Sequence, residues 1–97
     1  MLNQFVIVGK VQEIKKGDNF ELVVSIPRPF KNSNGEYEHD LLTFKVIDNI
    51  AHNVREYVNE KDIVGIKGRI QNTTGDIELI CEKITFLLSS KKIKILS

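Results

Sequence analysis

One short helical pattern, at residues 50–59, interrupts a chain whose other apolar residues follow strand patterns. Its apolar side chains recur at helical spacing, at Ile50, Val54, Tyr57 and Val58. Asp48 or Asn49 is expected to cap this helix. Three strand patterns precede it and two follow it, at residues 3–14, 20–27, 37–48, 61–72 and 77–86. The helix is therefore expected to cover one end of whatever the strands enclose.

Alternation within the strands predicts which side chains face the core. In the second strand one face carries Phe20, Leu22, Val24 and Ile26, as in a half-buried strand. At residues 42–46 the even positions face inward, so an outer face of the third strand carries Leu41, Thr43, Lys45 and Ile47. In the fourth strand Val64, Ile66 and Ile70 are expected to face inward. Lys67 and Arg69 are then expected to face outward.

The element order limits the architecture. Five short strands, with one helix between the third and fourth and glycines at Gly9, Gly65 and Gly68, are typical of a small closed barrel. The predicted class is all-β, a five-stranded Greek-key barrel of the oligonucleotide/oligosaccharide-binding (OB) type. An open sheet, made of a three-stranded meander and a hairpin, is the alternative, but its edges would need protection.

Length and composition describe a single small domain. The 97 residues are 41% hydrophobic and 28% charged, with a formal net charge of +1, as in ordinary globular proteins. We expect one domain over 1–97, with a core at about 1–88 and a short basic extension at 89–97. No secretory signal and no membrane-length apolar run is recognisable, which predicts a cytoplasmic protein.

The stretch from residue 28 to residue 42 is the strongest candidate for a binding segment. Pro27 and Pro29 are expected to end the second strand, because proline has no backbone N–H to donate. Arg28, Phe30 and Lys31 would then stand at the mouth of a flexible loop. Cation, aromatic ring and cation together suit a negatively charged strand whose bases can stack. Alternatively, Phe30 folds back onto the core or lies in an oligomer contact.

No arrangement of residues indicates catalysis or metal binding. Glu36, Glu38 and Asp40 alternate on one strand face, but no base, nucleophile or phosphate loop accompanies them. His39 and His52 have no ligand spacing around them, and Cys81 stands alone in an apolar run, as a small buried side chain would. We therefore expect no enzyme activity, no cofactor and no small-molecule substrate.

Four segments resemble, in consistent order, the bacterial and phage single-stranded DNA-binding proteins. They are the opening residues 1–10, the loop and strand start at 28–40, the helix segment at 51–58 and the Gly-containing strand at 64–70. The resemblance covers roughly residues 1–86. It implies an OB barrel that forms a homotetramer or dimer and coats single-stranded DNA in replication, repair or recombination. The apolar run at residues 5–8 has side chains of both parities, so both faces of the first strand are expected to be covered, one of them by a partner subunit.

The resemblance assigns roles to particular residues. Phe30 falls at a base-stacking position of the family, and Lys10, Thr43 and Arg69 fall where the family offers polar or basic groups. Leu41 and Ile47 fall where many members carry Trp or Phe. Tyr37 either stacks or packs, and the outward lysines either contact phosphates or form a solvated face. The predicted DNA-binding set is Lys10, Arg28, Phe30, Lys31, Tyr37, Leu41, Thr43, Lys45, Lys67 and Arg69.

The chain also departs from the family pattern. The first loop is short, and the hairpin at residues 72–76 lacks the long arm that grips DNA. Because residues 89–97 are basic, the chain is also expected to lack the acidic tail through which the family recruits partner proteins. Fewer aromatic platforms predict weaker binding with a stronger salt dependence. The sequence therefore predicts a single-stranded DNA-binding module. The alternative is an OB protein-interaction subunit of a replication or primosome assembly with weak or no DNA binding.

Overall fold

The computed structural model describes residues 3–17 and 19–88, where five strands close into a barrel around one buried core. Around the barrel the strands follow the order β1-β2-β3-β5-β4, and β4 returns to pair with β1. The β3–β5 pair is parallel and the other pairs are antiparallel. The elements are β1 (Phe5–Lys16), β2 (Phe20–Lys31), β3 (Tyr37–Val46), α1 (Asp48–Tyr57), β4 (Ile63–Thr73) and β5 (Asp76–Leu88).

This architecture confirms the predicted OB-type barrel with one short helix between strands 3 and 4. Barrel closure pairs β4 with β1 and leaves fewer free edges than the open-sheet alternative would have left. The predicted basic extension at 89–97 lies outside the described residues. No described helix is long and apolar enough to span a membrane.

The core is built from the inward positions that alternation predicts. Leu22, Val24, Phe44 and Ile66 are fully buried, and Phe44 packs against Phe5 with 5.7 Å between the ring centroids. Cys81 is buried among these side chains, as predicted, and burial raises the pKa of its thiol to about 11. Such a thiol stays protonated at neutral pH, so Cys81 acts as a small apolar core residue.

Helix α1 covers one end of the barrel, but two details of its prediction are wrong. It begins at Asp48, after the N-cap residue Ile47, and no side chain caps it. Asp48 instead lies in the first turn, where a carboxylate interacts favourably with the helix dipole. The buried side of α1 contains Ala51 and Val54, whereas Tyr57, in the last turn, is 61% exposed.

Two glycines let strands approach more closely than any side chain would allow. A Cβ atom at Gly68 would lie 1.7 Å from the carbonyl oxygen of Ile80, and one at Gly9 would lie 2.6 Å from Val24 Cγ1. The β1–β2 register shifts between Val11 and Glu13, and the β4–β5 register shifts between Lys67 and Gly68.

The β4–β5 hairpin extends past the core, which corrects one predicted inward residue. Ile70, expected to face the core, is 47% exposed, because it lies beyond the register shift at Gly68 where the hairpin leaves the barrel. Thr74 and Gly75 close this hairpin with positive φ angles of 48° and 89°. The short turn expected at residues 72–76 is therefore present.

Candidate nucleic-acid interface

Strand β2 runs through both prolines, so the prediction that they end it is wrong. Pro27 lies opposite His39 and Lys31 lies opposite Tyr37, so three residues of β2 face a single residue of β3. This irregularity accommodates Pro29, because the backbone nitrogen of a bulged residue has no ladder partner to lose. Phe30 therefore projects from a bulged strand end.

The turn that follows is short and internally hydrogen-bonded, in contrast to the flexible loop expected from its composition. The Asn32 side-chain oxygen accepts bonds from the backbone N–H groups of Asn34 and Glu36, at 2.9 and 3.0 Å. The Asn32 N–H donates to the Glu36 carbonyl at 2.7 Å, and Gly35 adopts a φ of 79°. These bonds join the ends of β2 and β3 closely.

Phe30 does not fold back onto the core, because 81% of it is exposed. Beside it in sequence, Lys31 places its amino group 5.6 Å from the centroid of the Tyr37 ring, and Tyr37 is 51% exposed. A cation and two accessible rings therefore lie at this end of the β2–β3 hairpin, an arrangement that suits stacked bases and their phosphates.

Arg28 already has partners within the protein. Its Nη1 donates to Glu38 Oε2 at 2.7 Å, and its Nη2 donates to Asp40 Oδ1 at 2.8 Å. Its Nε lies 3.2 Å from both Asp40 carboxylate oxygens. The hydrogen bond from Arg28 lowers the pKa of Asp40 below its ordinary value. Two of the three alternating carboxylates in the sequence, Glu38 and Asp40, thus bind an arginine of the neighbouring strand.

A groove opens where β1 and β2 diverge. The two strands pair with each other over residues 10–16 of β1 and 20–25 of β2. Before Lys10, β1 pairs only with β4, and after Ser25, β2 pairs only with β3. The groove has a volume of about 660 Å³. Its lining is Val8, Gly9, Lys10, Gln12, Ser25, Pro27, His39, Leu41 and Ile63.

The groove contains two predicted DNA-binding residues, Lys10 and Leu41, and several that the sequence did not indicate. Leu41 is 61% exposed despite being aliphatic. Val8 lies two positions before Lys10 on β1, so alternation could have placed both side chains on the same outward face. Nothing local indicated Pro27 or His39, because they reach the groove only through the divergence of β1 and β2.

Farther along β3, two smaller concavities contain three more of the predicted residues. Thr43 and Lys45 line one of about 240 Å³, and Lys45 and Arg69 line another of about 360 Å³ together with Ile47. Arg69 donates to Glu82 Oε2 at 2.7 Å, so its charge is already compensated. Lys45 is the cation that the two concavities share.

Lys67 lies apart from these residues. It is exposed on β4 between Val6 of β1 and Lys83 of β5, and it lines none of the concavities described above. Its neighbour Lys83 is also exposed, and alternation on β5 could have indicated from the sequence that this lysine faces outward. The structure thus divides the predicted set into a hairpin end, a groove with its continuation along β3, and one separate lysine.

Searches with known families and proteins place these features in context. No family model matches the chain. "Single-stranded DNA-binding protein 2" of Staphylococcus aureus (strain COL) is 30% identical over 105 residues, which cover 90% of this chain and 74% of that protein. The single-stranded DNA-binding protein of Halalkalibacterium halodurans is 31% identical over 103 residues, and the match spans 90% of this chain and 61% of the relative's length.

Solved structures support the fold. A mitochondrial single-stranded DNA-binding protein from S. cerevisiae superposes with a TM-score of 0.70 at 19% identity, over 90% of this chain and 94% of that one. A small single-stranded DNA-binding protein from Mycoplasma pneumoniae also gives 0.70, at 15% identity, over 88% and 93%. With the sequence relatives and the barrel taken together, the chain belongs to the single-stranded DNA-binding protein family.

Proposed function

We propose that this chain binds single-stranded DNA with little sequence preference, as a non-enzymatic protein of replication, repair or recombination in the cytoplasm. Bases stack on Phe30, and lysines along the groove and β3 contact the phosphates. The observation that carries the proposal is the exposed ring of Phe30, held at a hairpin end beside Lys31 and Tyr37. The sequence relatives from Halalkalibacterium halodurans and Staphylococcus aureus are single-stranded DNA-binding proteins, which supports the same ligand.

A continuous route for the strand supports the proposal. Leu41, Thr43 and Lys45 have the same parity on β3, so they share its outer face, and each lines at least one of the three concavities. Leu41 offers an apolar surface on which a base can pack, and Lys45 offers a charge. A strand that leaves Phe30 can follow this face without crossing the core.

The charge available for phosphates is modest. Among the described residues, no ion pair involves Lys10, Lys31, Lys45 or Lys67. If Lys10, Lys31 and Lys45, which lie in the groove, at the hairpin end and along β3, contact phosphates, the slope of log K against log salt is about −2, and raising salt from about 50 to about 200 mM weakens binding about 20-fold. Arg28 and Arg69, which already pair with carboxylates, are not expected to add to this slope.

Replacing Phe30 with alanine is expected to weaken oligo-dT binding by about 1–3 kcal/mol, because a base loses its stacking surface. Fluorescence anisotropy of a labelled oligo-dT, titrated with wild-type protein and Phe30→Ala at two salt concentrations, measures this loss. Tyr57→Ala is the matched control, since it removes an exposed ring from α1, away from the hairpin. Wild-type binding that ignores both salt and Phe30→Ala would contradict the proposed interface.

We also infer that the protein forms a homo-oligomer, dimer or tetramer, through β1. Over residues 5–9 this strand pairs with β4 but has no register partner on β2. Val6 and Val8 are 74% and 51% exposed there, and Leu87 on β5 is 53% exposed. A free strand edge beside exposed apolar side chains suits pairing with a second copy.

Introducing a charge at Val6 tests the β1 interface. Val6→Glu is expected to shift the mass measured by light scattering toward that of the 11.1 kDa monomer, because a carboxylate would be desolvated in the contact. Ile77→Glu, at a β5 residue that is 72% exposed, provides a matched control and should leave the oligomer intact. Equal effects of the two variants would argue against β1 as the interface.

The internal pairing of Arg28 and Arg69 favours a second candidate, an OB subunit that contacts proteins of a replication or primosome assembly. Two of the predicted phosphate-binding cations are neutralised by neighbouring carboxylates. If neither wild type nor Phe30→Ala binds oligo-dT even at low salt, this second function replaces the first.

A further inference from the structure

We propose that Arg28, clamped between Glu38 and Asp40, is a positioning residue that holds Phe30 in its exposed orientation, and that it is not a phosphate ligand. This inference rests on the proposed DNA binding, since it concerns how the stacking ring is presented. It assigns a structural purpose to two carboxylates that stand next to the proposed DNA-binding surface.

The need for a clamp arises from the backbone. Between Pro27 and Lys31 the β2–β3 register shifts, so residues 28–30 oppose only Glu38. Pro29 has no N–H, and a bulged strand makes fewer ladder bonds. The backbone of this segment is therefore weakly tied to β3 just where Phe30 projects. Some other contact has to fix its position.

The Arg28 side chain supplies that contact from within the irregular segment. Its guanidinium lies between two residues of β3 and uses Nη1 toward Glu38 and both Nε and Nη2 toward Asp40. The two-nitrogen contact with Asp40 fixes orientation as well as distance, because the planar guanidinium matches a carboxylate. The clamp thus ties the residue two positions before Phe30 to the neighbouring strand.

The clamp is local. The side chains of Arg28, Glu38 and Asp40 are 52%, 52% and 48% exposed, and ion pairs at such exposure add little to overall stability. Its loss should therefore leave the barrel folded while the hairpin end becomes less ordered. A DNA-binding defect without a change in unfolding temperature is the signature of this role.

For Asp40→Asn, a purely electrostatic role and a positioning role of the carboxylate predict opposite changes in oligo-dT affinity. Removing a carboxylate from a phosphate-binding surface strengthens binding if only charge matters. If Asp40 holds Arg28 in place, Asp40→Asn weakens oligo-dT binding roughly 3- to 10-fold, a part of the stacking contribution. Glu56→Gln, which removes an exposed carboxylate from α1, is the matched control and should leave binding unchanged.

Arg28→Lys separates the clamp from a phosphate contact. Lysine keeps the positive charge but cannot reach both carboxylates with a planar fork. If Arg28 is a positioning residue, both Arg28→Lys and Arg28→Gln weaken oligo-dT binding, and the salt slope of binding stays the same in both variants. As a phosphate ligand, it would tolerate Lys, and Arg28→Gln would reduce the slope by about 0.7.

A double-mutant cycle connects the clamp to the ring. In a Phe30→Ala background, Asp40→Asn and Arg28→Gln are expected to have almost no further effect, because there is no ring left to position. Circular dichroism melting of each variant checks that the barrel remains folded. Full additivity with Phe30→Ala, or tighter binding by Asp40→Asn, would overturn the inference.

The failure of this inference and that of the proposed function can be told apart. If wild-type protein does not bind oligo-dT at low salt, the proposed function fails, and the inference that Arg28 positions Phe30 for DNA binding fails with it. If wild type binds and Phe30→Ala is defective, but Arg28→Lys behaves as wild type, only the clamp is rejected.

Discussion

Replacing Gly68 with alanine is expected to destabilise the barrel by about 3 kcal/mol or more, the upper range for a residue that a packed site cannot accommodate. The added Cβ would lie 1.7 Å from the carbonyl oxygen of Ile80 and 2.9 Å from the ring of Phe5. The first of these atoms is backbone, so it cannot move aside as a side chain can. The strand pair β4–β5 would have to separate at this point.

Urea unfolding followed by far-ultraviolet circular dichroism, at one protein concentration because of the expected oligomer, measures this effect. Gly65→Ala is the matched control on the same strand. Its Cβ would lie 3.8 Å from Leu87 Cδ1, an ordinary contact, so its stability is expected to stay within about 1 kcal/mol of wild type. Equal stabilities of the two variants would contradict the packing described for β4 and β5.

Phe44→Ala is expected to cost about 3–5 kcal/mol, because it removes a fully buried ring and leaves a cavity in the barrel. Phe44 lies at the centre of the core, where it meets Phe5 with ring planes tilted by 48°. A domain of this size has about 5–15 kcal/mol of stability in total, so this single change removes much of it.

The same urea measurement tests Phe44→Ala, with Phe44→Leu and Tyr57→Ala as controls. Leucine refills much of the volume and is expected to cost less than about 1.5 kcal/mol. Tyr57→Ala removes a ring that is 61% exposed, so its effect should be smaller still. A cost below about 1.5 kcal/mol for Phe44→Ala would mean that the core collapses around the missing ring.

The sequence alone was sufficient for the element order and for most of the core. Side-chain alternation in a strand has a period of two, so Leu22, Val24 and Phe44 could be assigned to the inner face from local spacing. The helix was recognisable from its own periodicity. The pattern of three strands, one helix and two strands then left few ways to bury these faces, and a closed barrel is one of them.

Part of the candidate interface was also accessible from the sequence. Phe30 between Arg28 and Lys31 was singled out from residue types, and the structure shows its ring exposed. Leu41, Thr43 and Lys45 follow from the parity of one strand. In each case the property depends on residues within a few positions of each other.

Only the tertiary structure decided how distant residues meet. Whether Pro27 and Pro29 end β2 depends on where β3 shifts its register, and alternation within β2 does not contain that information. Arg28 meets Asp40 twelve positions away. The groove exists because β1 before Lys10 pairs only with β4, and β2 after Ser25 pairs only with β3. Local spacing determines which way a side chain points along its own strand, whereas pairing between strands depends on packing of the whole barrel and determines what that side chain touches.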